Sequence, residues 1–415
     1  MTLTDTLRAT VADLRSEGRA PLLLAVAGSW FLALGMRLVF PAVLPSLRTE
    51  LGIDNATAGA LVTLLWMAYA VTQFPAGLLA DRVGERRVLV TSMALGAVAV
   101  LVLGGTSGLW GVVAGVVLYG LGTGLFATPR VMVVSDAYAD RAATALGVVF
   151  ASGNVGNTLL PALAGVLAAS VGWRVSFLAA APLFVVAAVA LRTALPDGAP
   201  DDRPATDGGE SVARTVVASA AELRRRPVQF ATAALLLFAF AYQGVVGFLH
   251  TYLVDVKSLS PRTASVLFGA FFASGLVAQL ASGTLADAYG RRRLLAGTLA
   301  VTVAALVSLT AVHGLPALVV VVSLLGVELG FWPVLNAYAY DALSAGARGG
   351  GFGFVRTVYL CVGATGPLVV GAAFDADRYD AGFLFLAGLF AVVLVVCGSL
   401  PHVDRDADAP GVADD

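Results

Sequence analysis

Residues 77–87 read GLLADRVGERR, and residues 283–293 read GTLADAYGRRR. Gly77, Leu79, Asp81, Gly84, Arg86 and Arg87 match Gly283, Leu285, Asp287, Gly290, Arg292 and Arg293. Each residue type has a physical use in a short loop between two apolar helices. Glycine turns the chain and lets helices approach closely. The aspartate at a helix end can be held by a basic partner or a neighbouring helix N-terminus. A single copy would read as an ordinary basic loop, whereas two copies at identical spacing read as a duplicated device.

Working outward, the same offset of 206 residues, the distance from Gly77 to Gly283, aligns the rest of the chain without a gap. Pro21 meets Pro227, Thr57 meets Thr263 and Gln73 meets Gln279. Gly120, Gly124 and Gly147 meet Gly326, Gly330 and Gly353, and Pro161, Gly165, Phe177 and Phe184 meet Pro367, Gly371, Phe383 and Phe390. Duplicated membrane halves imply a ligand site at the repeat interface near the midplane, and rocking of one half against the other.

Composition places both halves in a bilayer. Of 415 residues, 58% are hydrophobic and 13% charged, about half the charged share of ordinary soluble domains. Apolar runs of about 20 residues are long enough to cross a membrane. The pattern predicts an all-α membrane protein with twelve transmembrane helices, near residues 21–46, 56–80, 87–105, 109–135, 143–169, 174–193, 228–254, 263–286, 294–312, 316–341, 351–373 and 381–400. These form two pseudo-symmetric six-helix bundles, 21–193 and 227–400. A polar segment (1–20), a linker (194–226) and an acidic tail (401–415) complete the chain. The linker opens on PDGAPDDRPATDGGE, a flexible composition, and continues as an amphipathic surface helix.

Basic residues set the orientation. Arg82, Arg86, Arg87, Arg141, Arg192, Arg224, Arg225, Arg226, Arg291, Arg292 and Arg293 share one side, against Arg48, Arg174, Lys257, Arg262 and Arg378 on the other. The positive-inside rule then puts both termini and the linker in the cytoplasm, and a multi-pass protein of the cell membrane is expected. A net charge of −1 points to no nucleic-acid partner, and Cys361 and Cys397, both in apolar runs, suggest no disulfide framework and no metal site. No G-x-x-x-x-G-K-[S/T] phosphate loop occurs, so an ATP-driven pump is not indicated, and neither an enzyme nor a cofactor is expected.

Four ionisable residues interrupt the spans: Arg37, Arg130, Glu328 and Arg356. Each costs about 2.5–3.5 kcal/mol at mid-bilayer on the mild insertion scale, and persists by facing a cavity, finding a partner or doing a job. The arginine fork suits a carboxylate or phosphate, so Arg37, Arg130 and Arg356 are candidates for substrate binding, with snorkelling as the rival for Arg356. Glu328, Trp332 and Asn336 recur at every fourth residue and share a helix face. Glu328 is a candidate proton carrier or a permanent ion-pair partner of an arginine, and His250 is a second coupling candidate. Gln243, the repeat mate of Arg37, joins the substrate candidates, as do Asn154 and Asn157 of SGNVGN and Trp332 and Asn336 of the Glu328 face. The aromatics Trp66, Tyr69, Tyr242 and Trp332 are candidates to line the path.

The paired G-x-L-A-D-x-x-G-x-R-R loops, with Gly172-Trp173-Arg174 and Phe177 further on, resemble the signature features of the major facilitator superfamily, from about residue 21 to 400. The resemblance implies a secondary transporter working by alternating access, a symporter or antiporter, in which spans one, four, seven and ten line the central cavity. It makes Gly77, Asp81, Arg82, Gly84, Arg86, Arg87, Asp136, Arg141, Gly283, Asp287, Gly290 and Arg292 gating residues. Glu85 stands where the family usually has arginine, which leaves the partner of Asp81 open, with Asp136, Asp140 and Arg141 as members of the network. Arg37 with Arg130 is similar to the arginine pair of organic anion symporters in spans one and four. Asn157 replaces a proline usual in drug/proton antiporters, and Gln73 and Gln279 replace arginines usual in nitrate porters. The expected partners are a small-molecule substrate, H+ or Na+ as coupling ion, and lipid around a monomer. Drug efflux by proton antiport is the alternative, and a transporter-like receptor without flux a third.

Overall fold

The structure is a computed structural model that describes residues 19–196, 222, 224–344 and 348–401. The N-terminal segment, most of the linker with its amphipathic helix, and the acidic tail lie outside the described residues. The described residues form helices joined by short turns, with twelve helical spans long and apolar enough to cross a membrane. We number these spans in chain order. In the first repeat α1 is Ala20–Leu51, α2 Asn55–Val83, α3 Glu85–Gly105, α4 Leu109–Ala137, α5 Ala142–Val171 and α6 Trp173–Ala194. In the second α7 is Arg226–Asp255, α8 Pro261–Tyr289, α9 Arg291–Ala311, α10 Leu315–Ala342, α11 Gly351–Asp375 and α12 Tyr379–Gly398.

The fourth span of each repeat is interrupted, the two breaks lying about one turn apart in the repeat register. The first part of α4 ends at Gly124 and its second part starts at Pro129. In α10 a tighter 3-10 stretch, Val327–Gly330, separates Leu315–Gly326 from Phe331–Ala342. Such mid-helix tightening often marks a functional hinge. Arg130 lies just past the first break and Glu328 lies inside the second.

Contacts divide the chain into two units. One holds residues 1–52, 64–205 and 261–269; the other holds 53–63, 206–260 and 270–415. Within the first, a β-carbon on Gly120 would collide with the backbone oxygen of Leu65. Within the second, one on Gly326 would collide with the backbone oxygen of Phe271. Both partners are related by the repeat offset, so the same intimate α4–α2 crossing recurs as α10–α8. The signature turns repeat as closely: Gly84 has φ 88° and ψ 142°, and Gly290 has φ 87° and ψ 139°. Side chains rarely adopt that backbone.

The exterior is apolar, and a few polar groups lie buried in an otherwise apolar interior. Leu24, Trp110, Leu280 and Val395 are 69% or more exposed, while Arg37, Arg130, Gln243 and Glu328 are buried. An apolar exterior with ionisable groups kept inside suits a hydrocarbon solvent.

Helix-end ties close each unit. In the first, Glu50 at the end of α1 accepts from Trp173 Nε1 at 2.7 Å and pairs with Arg174, whose Nε donates to the Thr106 carbonyl at 2.8 Å. In the second, the repeat mate of Arg174 is Asp380, which accepts a hydrogen bond from the Tyr252 hydroxyl. Lys257 Nζ donates to the Thr310 carbonyl at 3.0 Å. Burial pulls the Lys257 ammonium below its ordinary range, against an opposing pull from Asp380.

Candidate functional site

The first unit carries two arginine boxes. Arg37 is 1% exposed on α1, although this is a fully polar group in a membrane span. Its guanidinium carbon lies 3.6 Å from the centroid of the Tyr69 ring and 4.9 Å from that of Trp66. Those two rings, from one turn of α2, meet edge to face. Arg37 Nη2 donates to Thr123 Oγ1 at 3.2 Å, and Nε has no hydrogen-bond partner. Thr123 in turn donates to the Tyr119 carbonyl at 2.8 Å, and the Tyr119 hydroxyl donates to the Ala33 carbonyl at 2.8 Å. Among the described residues no carboxylate reaches Arg37. Rings and one hydroxyl orient it, and its positive charge has no counter-charge among the described residues.

Arg130 is 3% exposed, and its guanidinium carbon lies 3.6 Å from the Trp30 ring centroid and 5.5 Å from that of Phe150. Nη1 donates to the Ala127 carbonyl at 2.6 Å, which ties the side chain across the break in α4. Trp30 stacks on Phe126. The glycines of SGNVGN act in packing: α5 runs unbroken, and β-carbons on Gly153 and Gly156 would strike Trp30 and the backbone of Phe31 on α1. Asn157 is 7% exposed, and its Oδ1 has no hydrogen-bond partner. Asn154 is half-buried one turn earlier.

The second unit buries an acidic side chain instead. Glu328 is fully buried in the 3-10 stretch of α10, and neither carboxylate oxygen has a hydrogen-bond partner. The ion pair with an arginine, one of the two readings of this residue from sequence, does not form among the described residues. Nearby stands an aromatic cluster in which Trp332 lies 5.6 Å from Tyr242, 4.9 Å from Phe238 and 5.6 Å from Tyr359, between ring centroids. Asn336 donates from Nδ2 to the Trp332 carbonyl at 2.7 Å and accepts from the Tyr359 hydroxyl at 3.2 Å. Gln243 is 4% exposed with no hydrogen bond to Oε1, and His250 is 1% exposed on the same helix. Arg356 is exposed on α11 and joins neither cluster.

The residues expected from sequence to gate divide between the signature turns and one cavity. Gly84 and Gly290 make the turns described above, and Gly77 faces Thr128. Asp81, Arg82, Arg87, Gly283, Asp287 and Arg292 are exposed. Asp81 and Asp287 have no hydrogen-bond or ionic partner among the described residues. Glu85, Arg86 and Asp136 instead line a cavity of about 620 Å3 with Arg19, which donates to the Ala137 carbonyl. Arg141 is exposed beside it. In the second copy Arg291 Nη1 pairs with Asp341 at 2.8 Å. Trp30, Thr123, Phe238 and Tyr359 complete the clusters without any mark in the sequence. Single aromatics and threonines in apolar spans are too common to single out.

Comparison with known proteins agrees with this architecture. The family model described as Major Facilitator Superfamily matches residues 25–260 and 257–413. The hexuronate transporter of Bacillus subtilis is 24% identical over 395 residues, covering 88% of this chain and 90% of that one. A probable hexose phosphate transport protein of Chlamydia pneumoniae is 23% identical over 60% of each chain. A putative multidrug resistance protein MdtD of Klebsiella pneumoniae is 31% identical over 45% of this chain and 40% of its own. Among solved structures, the nucleoside transporter NupG superposes with a TM-score of 0.78 at 14% identity, covering 92% of this chain and 99% of that one. A bacterial homologue of the lysosomal transporter Spinster superposes at 0.76 and 14%, covering 92% and 96%. With twelve membrane spans in two copies of six and a family match along nearly its whole length, the chain is a multi-pass membrane protein that belongs to the major facilitator superfamily.

Proposed function

We propose that this transporter moves a small organic anion, and that Glu328 couples the movement to protons. The observation that carries the reading is Arg37: a guanidinium 1% exposed, held by Tyr69, Trp66 and Thr123, with no carboxylate beside it among the described residues. A buried positive charge with an open donor is a natural seat for a carboxylate or phosphate, because charge-assisted hydrogen bonds are strong where water is excluded. Two relatives along much of the chain are named for hexuronate and hexose phosphate, both sugar anions. Arg130 is a second anchor, with Asn157 and Gln243 as polar contacts.

Glu328 supplies the coupling. A buried carboxyl without hydrogen bonds needs a proton or a cation to neutralise it. Of the two coupling ions expected from sequence, we take the proton, which the carboxyl alone can bind. The positive-inside pattern supports an orientation with both termini in the cytoplasm, and the cell membrane is the placement we propose. The two six-helix repeats, 21–193 and 227–400, are the moving bodies of an alternating-access cycle. The paired signature loops around Asp81 and Asp287 gate it.

The test is counterflow in proteoliposomes. Vesicles preloaded with glucuronate, and separately with glucose 6-phosphate, are diluted into the labelled compound. Arg37→Gln should reduce accumulation at least 100-fold while leaving the melting temperature of the purified protein within a few degrees. Unchanged counterflow of every transported anion in that variant refutes the reading. A second reading, efflux of amphipathic cations, is favoured by the partial match to MdtD and by the aromatic cluster near Glu328. Drug resistance conferred by expression, and lost in Glu328→Gln, would select it.

A further inference from the structure

Asp375 stands where its own helix does not want it. It is the last residue of α11, and a negative charge at a helix C-terminus opposes the helix dipole. Its compensation comes from α2. Oδ1 accepts from the Asn55 backbone N–H at 2.7 Å and from Asn55 Nδ2 at 2.9 Å, and Oδ2 accepts from the Ala56 backbone N–H at 2.7 Å. One carboxylate thus satisfies two of the unpaired amides at the start of α2, at the positive end of that helix's dipole. Asp54 takes the next, from Thr57 at 2.8 Å.

The backbones are brought together to allow it. A β-carbon on Gly371 would collide with the Asn55 carbonyl, and one on Gly59 with the Pro367 carbonyl. Asn55 opposes Gly371 and Gly59 opposes Pro367, so the two segments run antiparallel, close enough for Asp375 to reach the helix start. These residues all belong to the second contact unit, which takes residues 53–63 of α2 while residues from 64 onward belong to the first. The helix is therefore divided between the units a little beyond the Asp375 contact. At its other end Asp81 is exposed and has no partner among the described residues.

The repeat supplies a control. The same junction recurs in the first unit, where a β-carbon on Gly165 would collide with Ser265 near the start of α8. Gly165 is the mate of Gly371 and Ser265 of Gly59. Yet the mate of Asp375 is Ala169, and the mate of Asn55 is Pro261, which has no N–H to give. Packing alone therefore makes this kind of junction, and the carboxylate is an addition to one of the two.

We propose that Asp375 is a state-dependent latch. It holds the start of α2 on α11 in the conformation described here, and the transport cycle proceeds by breaking its three hydrogen bonds. A merely structural cap would serve equally in every state and would be as useful at the second junction.

The test reads the conformational equilibrium and needs no substrate, so it stands apart from the organic-anion reading. The full-length protein, with Cys361 and Cys397 replaced by alanine, is placed in lipid nanodiscs with spin labels at Ile53→Cys and Ala381→Cys. Pulsed electron resonance should give one dominant short distance. Asp375→Ala should shift the ratio of long to short distances at least tenfold. Asn55→Pro, which removes two of the three donors and copies the residue that starts α8, should shift it the same way. That second variant protects the test against a folding defect in the first. An unchanged distribution in both monodisperse variants overturns the latch.

Discussion

Arg37 on α1 lies over the face of Tyr69 on α2, 3.6 Å from guanidinium carbon to ring centroid. The ring holds the charge without neutralising it, which distinguishes a binding group from a structural ion pair. A cation–π contact is worth about 0.5–2 kcal/mol depending on desolvation. Tyr69→Ala should therefore raise the KM for a transported anion several-fold to about thirtyfold. Tyr69→Phe, which keeps a ring, should raise it much less. Arg37→Lys should behave like a loss, because an ammonium cannot reproduce the planar fork. Uptake kinetics of the three variants check this, and an equal KM in Tyr69→Ala and wild type contradicts it.

Glu328 has no hydrogen bond to lose, so Glu328→Gln should leave the fold and the melting temperature nearly unchanged. What it should abolish is the link to the proton gradient. The expected result is anion exchange that persists in counterflow, together with loss of accumulation driven by an imposed pH difference. Retention of gradient-driven accumulation would assign coupling elsewhere, with His250 the next residue to examine.

Gly84 and Gly290 adopt nearly the same positive-φ backbone. Residues with a β-carbon pay about 1–3 kcal/mol in such regions. Gly84→Ala and Gly290→Ala should each lower the thermal unfolding midpoint, and the two losses should add, because the turns lie in separate contact units. Gly283→Ala, whose added carbon meets open space, is the control and should lose little.

Glu222, just before α7, accepts from the Ser344 N–H at 3.0 Å, the Ser344 hydroxyl at 2.9 Å and Arg225 at 3.4 Å. Burial pushes its carboxyl up, but the two Ser344 bonds and Arg225 outweigh that, and the net shift is downward. A carboxyl held below its unfolded value of about 4.3 contributes stability above that pH. The contribution is lost as pH falls through the folded value. The melting temperature of Glu222→Gln should therefore lie below that of wild type at pH 6, and the gap should narrow towards pH 3. A gap that widens on acidification would reverse the sign.

The legible part of this protein is local. A run of about 20 apolar residues is a membrane span whatever surrounds it, and each of the twelve expected spans falls on a described helix. The positive-φ turns at Gly84 and Gly290 were visible because only glycine adopts that backbone freely. Burial of Arg37, Arg130 and Glu328 was foreseeable from the cost of charge in lipid. What each charge touches was not. Arg37 meets Thr123, 86 positions away, and Asp375 meets Asn55, 320 positions away. A side chain's type states what it requires, while separation along the chain says nothing about which helix will supply it. The sequence alone determined that these groups must be buried and repeated or unrepeated at one offset. The tertiary structure alone decided that aromatic rings surround the arginines, that Glu328 has no hydrogen bond, and that a carboxylate at the end of α11 closes the start of α2. Those outcomes depend on backbone approach at a few glycines, which pattern and composition do not encode.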